Sequence, residues 1–284
     1  MARIIISDAE EILDKEFKVL NKGFVRLVDY MGGDERVVQS ARVSYGEGTK
    51  TYREDAALID YLLRNSHTSP FEQVVFTFHI KLPIFIARQW VRHRTARLNE
   101  ISGRYSVMND DFYLPSNDDL ALQSSDNKQG RSDEKLDDAL AQDILSAFEE
   151  GQKSSYEAYT SLIDKGLARE LARINLPLSL YTEWYWQMDL HNLFHFLRLR
   201  LDLHAQKEIR LYSAVLFDIA KKVAPRCCES FENHVLGGVR FSSEEMTELR
   251  RRLGMEGEKS KGKSPLSSRS LDRLEEKLRT GRQL

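Results

Sequence analysis

The clearest hydrophobic pattern in the chain is the alternation within "FEQVVFTFHIKLP", where Val75, Phe78 and Ile80 are interleaved with polar partners up to Pro83. A period of two predicts a strand with one face on a core. "RIII" and "FVRLVDYMG" read as two further short strands. "GDERVVQSARVS" and "REDAALIDYLLRNS" instead repeat apolar residues at helical spacing. "IFIARQWVRHR" is predicted as a helix, which places Gln89 and His93 on one face and Arg88 and Arg92 on another. "LNEISGRYS" then reads as a loop, in which Gly103 permits unusual backbone angles.

The second half is mostly helical by the same criterion. One helix is predicted over roughly 134–166. Another covers about 190–223, within "SLYTEWYWQMDLHNLFHFLRLRLDLHAQKEIRLYSAVLFDIAKKVAP", and stops before Pro225. Residues 115–138 are polar and acidic and predict an exposed insertion or mobile loop. Beyond about residue 255, "GEKSKGKSPLSSRS" reads as a flexible linker. It leads to "LDRLEEKLR", a short helix with Leu271, Leu274 and Leu278 on one side. There is no internal repeat.

Composition narrows the class. A chain of 284 residues, 41% hydrophobic and 10% aromatic, has the length and apolar content for a real core. No run approaches the roughly 20 apolar residues that span a bilayer. The opening "MARIIISDAEEILDKEF" has too short an apolar run for a signal peptide, so a cytoplasmic, non-membrane protein is expected. The adjacent Cys227 and Cys228 do not suit a disulfide and cannot form a zinc site alone; they read as small buried residues near a helix end. A formal net charge of −2 argues against a general nucleic-acid binder.

Against that balance, residues 87–106 hold Arg88, Arg92, Arg94, Arg97 and Arg104 with one histidine and one carboxylate. The ordinary reading of such a run is a solvated helix face. Three features favour an anion pocket instead. Acidic partners are nearly absent from 85 to 98, and Phe85, Ile86, Trp90 and Val91 interleave with the charges. The run also ends in a loop offering Asn99, Glu100, Ser102 and Arg104. Neither G-x-G-x-x-G nor G-x-x-x-x-G-K-[ST] occurs, so a nucleotide would be held by side chains, chiefly the planar fork of arginine.

A second constellation is "MDLHNLFHFLRLRLDLHAQ". His191 and His195 are four apart, as in H-E-x-x-H metal sites, with Asp189 and His204 as further possible ligands. A metal-dependent hydrolase is therefore the alternative function. Asn192 stands where that motif needs its glutamate, and the surrounding leucines favour hydrogen-bonding or core histidines without a metal. Of Arg198 and Arg200, one is expected to face a pocket and the other to make a surface or interface ion pair. An RNA-binding module is the third and weakest reading.

"RHRTARLNEIS", an R-H-R followed by seven residues and a serine, resembles the signature of the flavin-dependent thymidylate synthases. "HTSPFEQVVFTFHIKLPIFIARQW", "GRYS", "LARINLPLSLYTEWYW" and "LRLDLHAQKEIR" agree in order, so the resemblance covers about residues 20–235. It implies an α/β (α+β) fold, a mixed sheet flanked by long helices and not a Rossmann fold. The expected organisation is a domain over 1–240, with the polar 115–138 segment as an exposed insertion and 241–284 as a polar, partly helical or flexible extension. It further implies reductive methylation of dUMP to dTMP, with 5,10-methylenetetrahydrofolate as carbon donor, FAD as hydride source and NADPH as its reductant. A homotetramer with shared active sites follows from the same likeness, while the near-neutral charge argues against a nucleic-acid partner.

By position, the resemblance assigns Ser69, Arg92, His93, Arg94, Glu100, Asp189, Leu190, His191 and His195 to FAD. Gln89, Arg92, Glu100, Ser102, Gly103, Arg104, Arg173 and Arg200 fall to dUMP. Arg200 is also the catalytic arginine, favouring ionisation of the uracil imide so that carbon 5 becomes nucleophilic without a cysteine. Ser44 and His67 fall near the entrance for folate or NADPH.

Overall fold

The period-two alternation builds the centre of the molecule. The computed structural model describes residues 4–43, 52–125, 130–255, 264 and 266–281. Its first half contains α1 (Ser7–Glu10), β1 (Glu16–Val19), β2 (Gly23–Met31), α2 (Asp34–Arg42), α3 (Tyr52–Arg64), β3 (Val75–Pro83), α4 (Ile84–Trp90) and β4 (Arg97–Glu100). There follow β5 (Ala121–Gln123), β6 (Arg131–Lys135), α5 (Asp138–Asp164), α6 (Arg169–Ala172), β7 (Tyr181–Asp189), α7 (Leu190–Arg200), α8 (Lys207–Val223), α9 (Pro225–Phe231), α10 (Ser243–Arg252) and α11 (Ser268–Thr280). The main sheet runs β1-β2-β3-β7-β4 with every pair antiparallel, and β5 and β6 form a separate hairpin. This mixed fold has none of the parallel βαβ order of a Rossmann domain.

Strands β3 and β7 pair along their whole length, with Phe78 opposite Trp186 and Ile80 opposite Trp184. Phe76, Phe78, Ile80, Leu82, Trp184, Trp186 and Met188 are buried on one face, while Thr77, His79, Lys81, Glu183, Tyr185 and Gln187 lie on the other. Val75 falls out of phase with Phe78 and Ile80, so Phe76 takes the inward position expected of it. Helices α4, α7 and α8 close the apolar face. Trp90 lies 4.6 Å from Phe196 and 5.2 Å from Trp186 between ring centroids, and Tyr212 is within 6.0 Å of Trp90. Burying side chains of this size contributes about 1.5–3 kcal/mol each. That layer fixes β7 and the end of α4, which carry the polar groups described below.

Several expectations change. Residues 4–6 of "RIII" are not in a strand; Ile6 N–H donates to the Tyr30 hydroxyl at 2.8 Å. Helix α4 ends at Trp90, and His93 sits in the following turn with its N–H on the Trp90 carbonyl at 3.0 Å. Gln89 and His93 therefore do not share a helix face. The start of "LNEISGRYS" pairs with β7 as β4, so only its second part is loop. "YTEWYWQMD" is strand, and the helix expected over 190–223 breaks at 201–206 into α7 and α8. In that break Asp202 accepts the backbone N–H of His204 at 2.8 Å, an Asx turn that competes with helix.

The described residues of the 115–138 segment are largely exposed yet folded: they carry the β5–β6 hairpin, tied down by ion pairs from Arg131 to Glu208 and from Lys207 to Asp119. At the C-terminal end a capping box of Ser242 and Glu245 starts α10. Helix α11 buries Leu274 and Lys277, whose ammonium lies 2.7 Å from Glu245, while Leu278 is half exposed. Its inner face is thus rotated from the leucine stripe expected.

Candidate functional site

The end of α4, the turn after it and the last residues of α7 converge on one guanidinium. Arg200 donates from Nε to His93 Nε2 at 3.1 Å and from Nη2 to the Gln89 carbonyl at 3.2 Å. Its Nη1 has no protein partner among the described residues. The side-chain amide of Gln89 donates to Gln206, at the start of α8, at 2.5 Å. Of the two expected alternatives Arg200, rather than Arg198, is the inward arginine. Four positions, on α4, the turn after it, α7 and the start of α8, thus form one half-buried cluster, and His195 joins it with its ring 5.9 Å from that of His93.

Electrostatics follow from this geometry. His93 accepts from a cation, so it is neutral with Nε2 unprotonated. Burial first, then the charge of Arg200 and that of His195, lower its pKa from 6.5 to about 4. Burial also lowers the Arg200 pKa, without discharging a guanidinium near neutrality. Between pH 6.5 and 4 the unfolded chain binds more protons at His93 than the folded one, so this residue makes stability fall as the pH drops through that window. His93→Asn is expected to flatten that part of the acid-side loss. Urea unfolding at pH 7 and pH 5 measures it; parallel losses in variant and parent would refute it.

A second group lies along β4 and its loop. Glu100 accepts from the Thr182 hydroxyl at 2.5 Å. Ser102 Oγ accepts the Arg104 backbone N–H at 3.3 Å, and the Arg104 side chain pairs with Glu170 at 3.1 Å. Gly103 is needed for space rather than for unusual angles: a Cβ there would stand 3.1 Å from both Arg173 Cδ and Met108 Sδ, and its φ is not positive. Arg92 and Arg94 are exposed and unpaired among the described residues. An unpaired, clustered arginine set suits a phosphate or pyrophosphate.

Other expected positions are arranged differently. Asp189 caps α7, one oxygen on the Asn192 N–H and the other on its side-chain amide, each at 2.8 Å. The Leu190 side chain is fully buried and its N–H donates to Val74. Direct side-chain contact with a ligand is therefore closed to Leu190, and both Asp189 oxygens are already engaged. His191 is half-buried and His195 exposed on α7. Ser69 is exposed at the start of a short turn whose Phe71 packs 6.4 Å from Phe194 of α7. His67 is exposed, edge-on to Tyr61 at 5.8 Å and apart from the Arg200 cluster's recorded contacts. Ser44 lies outside the described residues.

Gln206 and Thr182 are functional candidates that sequence reasoning missed, although "HAQKEIR" was among the matched segments. Nothing in local spacing says that Gln206 meets Gln89, 117 positions away. The hydrolase alternative loses its ligands: His204 bonds to Asp202, Asp189 caps a helix, and the described residues contain no group of three His, Cys, Asp or Glu placed to hold a metal. Both cysteines are buried in α9, where burial and the nearby Asp34 carboxylate push their thiols well up, which makes them unsuited as nucleophiles. Cavities of about 530 and 300 Å³ around Val38, Ile59 and Arg226 include none of the positions assigned above. Among the described residues no helix is long and apolar enough to cross a membrane.

Comparison with known proteins places the chain in a family. The family profile described as "Thymidylate synthase complementing protein" matches residues 26–226, and "Thymidylate synthase ThyX C-terminal domain" matches 239–284. A flavin-dependent thymidylate synthase of Treponema denticola is 64% identical over 96% of this chain and 100% of its own length. That of Treponema pallidum is 58% identical, covering 100% of this chain and 91% of its own. The crystal structure of a UMP/dUMP methylase, PolB from Streptomyces cacaoi with 5-Br dUMP, superposes with a TM-score of 0.70 at 32% identity. It covers 77% of this chain and 98% of the PolB chain. With its motifs, its fold and near-full-length relatives in agreement, this chain belongs to the family of the flavin-dependent thymidylate synthases.

Proposed function

We propose that the chain converts dUMP to dTMP, taking the carbon from 5,10-methylenetetrahydrofolate, with FAD as cofactor and NADPH as reductant. One observation carries the assignment to this site: Arg200 is held between His93 and the Gln89 carbonyl with one guanidinium nitrogen free. When bound, the flavin supplies the hydride that reduces the transferred carbon.

The chain's own residues do the rest by binding and charge placement. Arg92 and Arg94 hold phosphate oxygens, with His93, Glu100 and Ser69 also on the flavin side; Asp189, Leu190, His191 and His195 shape the α7 end of that side. Gln89, Ser102, Gly103, Arg104 and Arg173 cradle the nucleotide, and the missing Cβ at Gly103 lets Arg173 and Met108 pack close against the loop. Neutral His93 aims Arg200 without repelling it. A fixed cation beside the uracil imide favours the imide's negative charge, and this electrostatic support makes carbon 5 electron-rich. No cysteine adduct is required. Ser44 and His67 belong to the folate or NADPH entrance in this reading.

The same reading takes residues 1–240 as the catalytic unit and 241–284 as an extension. It also includes a cytoplasmic homotetramer with shared sites. Large apolar residues exposed beside the nucleotide loop (Ile101, Tyr105, Leu171, Ile174 and Leu178) support such an assembly, because a monomer has little reason to leave them wet. The purified protein is expected to show flavin absorbance that NADPH bleaches and dUMP perturbs. A protein that stays colourless with added FAD would overturn the proposal.

A further inference from the structure

The β5–β6 hairpin meets the start of α8 through a buried carboxylate that no step above uses. Glu208 is 2% exposed. Its Oε1 accepts from the Tyr113 hydroxyl at 3.0 Å and from the guanidinium of Arg131 on β6, while Oε2 is buried without a partner. Arg131 also donates to the Asp119 carbonyl at 3.1 Å, and Lys207 pairs with the Asp119 carboxylate. The hairpin and the turn leading into it are therefore bound to the helix start at two successive residues, Glu208 and Lys207. Immediately before them Gln206 receives the Gln89 amide, and the Gln89 carbonyl receives Arg200.

A chain of contacts thus runs from the hairpin to the guanidinium. We propose that Glu208 is a positioning residue: clamped by Arg131 and Tyr113, it sets the first turn of α8, and through Gln206 it fixes Gln89 and Arg200 against the nucleotide. The polar segment at 115–138 is then an outside brace of the site. A buried carboxylate has one low-energy place when both donors reach it, and it loses that definition when either is removed. Placement errors well under a bond length's multiple matter here, since misplacing a reacting group by about 1 Å can cost on the order of a hundredfold.

The inference rests on Gln89 belonging to the nucleotide site, so the test separates the two. In the FAD-loaded full-length enzyme, Arg131→Met is expected to lower kcat/KM for dUMP by roughly tenfold to a hundredfold, with FAD content unchanged. Arg131→Lys should recover much of the loss. Tyr113→Phe, which keeps its ring on Phe85 at 5.5 Å, should show a smaller loss of the same kind and covers the case in which Arg131→Met does not fold. In a Gln89→Ala background the Arg131→Met penalty should shrink, because coupled residues are not additive. A penalty of full size in that background overturns the route through Gln89. So does a normal kcat/KM for Arg131→Met and Tyr113→Phe alongside an impaired Gln89→Ala. Normal dUMP kinetics in Gln89→Ala itself would instead remove Gln89 from the site, and the brace with it.

Discussion

Arg200→Ala is expected to keep FAD bound yet form dTMP roughly 100–1,000-fold more slowly, the effect of deleting a preorganised charge aimed at the reacting ring. Nothing in the core depends on Arg200. Its recorded hydrogen bonds go to His93 and the Gln89 carbonyl, and its removal leaves Trp90, Phe196 and Trp186 packed. Single-turnover dTMP formation, with flavin absorbance read on the same sample, measures both halves of the expectation. Normal turnover would remove Arg200 from the chemistry. Arg200→Lys tests the geometry, because an ammonium keeps the charge but cannot reach His93 and Gln89 as a fork while leaving a third nitrogen free.

Arg92→Ala should act on binding instead. Arg92 is exposed, has no side-chain partner among the described residues and lies in the turn directly after α4. Its loss should leave thermal stability within about 0.5 kcal/mol, as for surface changes generally. A charge-assisted bond to a phosphate is worth about 1.5–3 kcal/mol, or roughly 10–100-fold in affinity. Titration of apoprotein with FAD, and of holoenzyme with dUMP, should show a loss of that size in at least one ligand. Unaltered affinity for both would place the phosphates on other arginines. The contrast is physical: Arg200 is held in place by the protein before any ligand arrives, whereas Arg92 has only a ligand to hold.

The contrast also shows how far the residues could be read without coordinates. Both arginines were visible as types in a motif. Residue type alone did not separate Arg200 from Arg198; the family resemblance singled out Arg200, and the structure adds that it is the one that meets His93, a partner 107 positions away. The alternation of β3 was legible because Thr77, His79 and Lys81 interrupt its apolar side chains strictly. The same alternation in β7 (Thr182, Trp184, Trp186, Met188) was obscured because it runs directly into α7, whose leucines fit a helical period. The helix carrying "RQWVRHR" was extended too far because arginine tolerates helix and turn alike, and nothing local marks Trp90 as the last helical residue. Likewise 190–223 reads as one amphipathic run, and only the Asx turn at Asp202 and the clamp at Glu208 divide it.

What the sequence by itself determined is the set of chemical types and their order: an arginine-rich run with few acidic partners, no glycine phosphate loop, one adjacent pair of cysteines, and motifs of one enzyme family. These depend on residue identity and short spacing, which a linear chain carries in full. The tertiary structure decided which residues meet. It paired β4 with β7, turned His93 off the helix, made Asp189 a cap and Leu190 a core residue, and joined Gln89, Gln206 and Arg200. Those outcomes depend on where distant segments bury the Trp90–Trp184–Trp186–Phe196 layer, an energy shared among elements and absent from any single stretch.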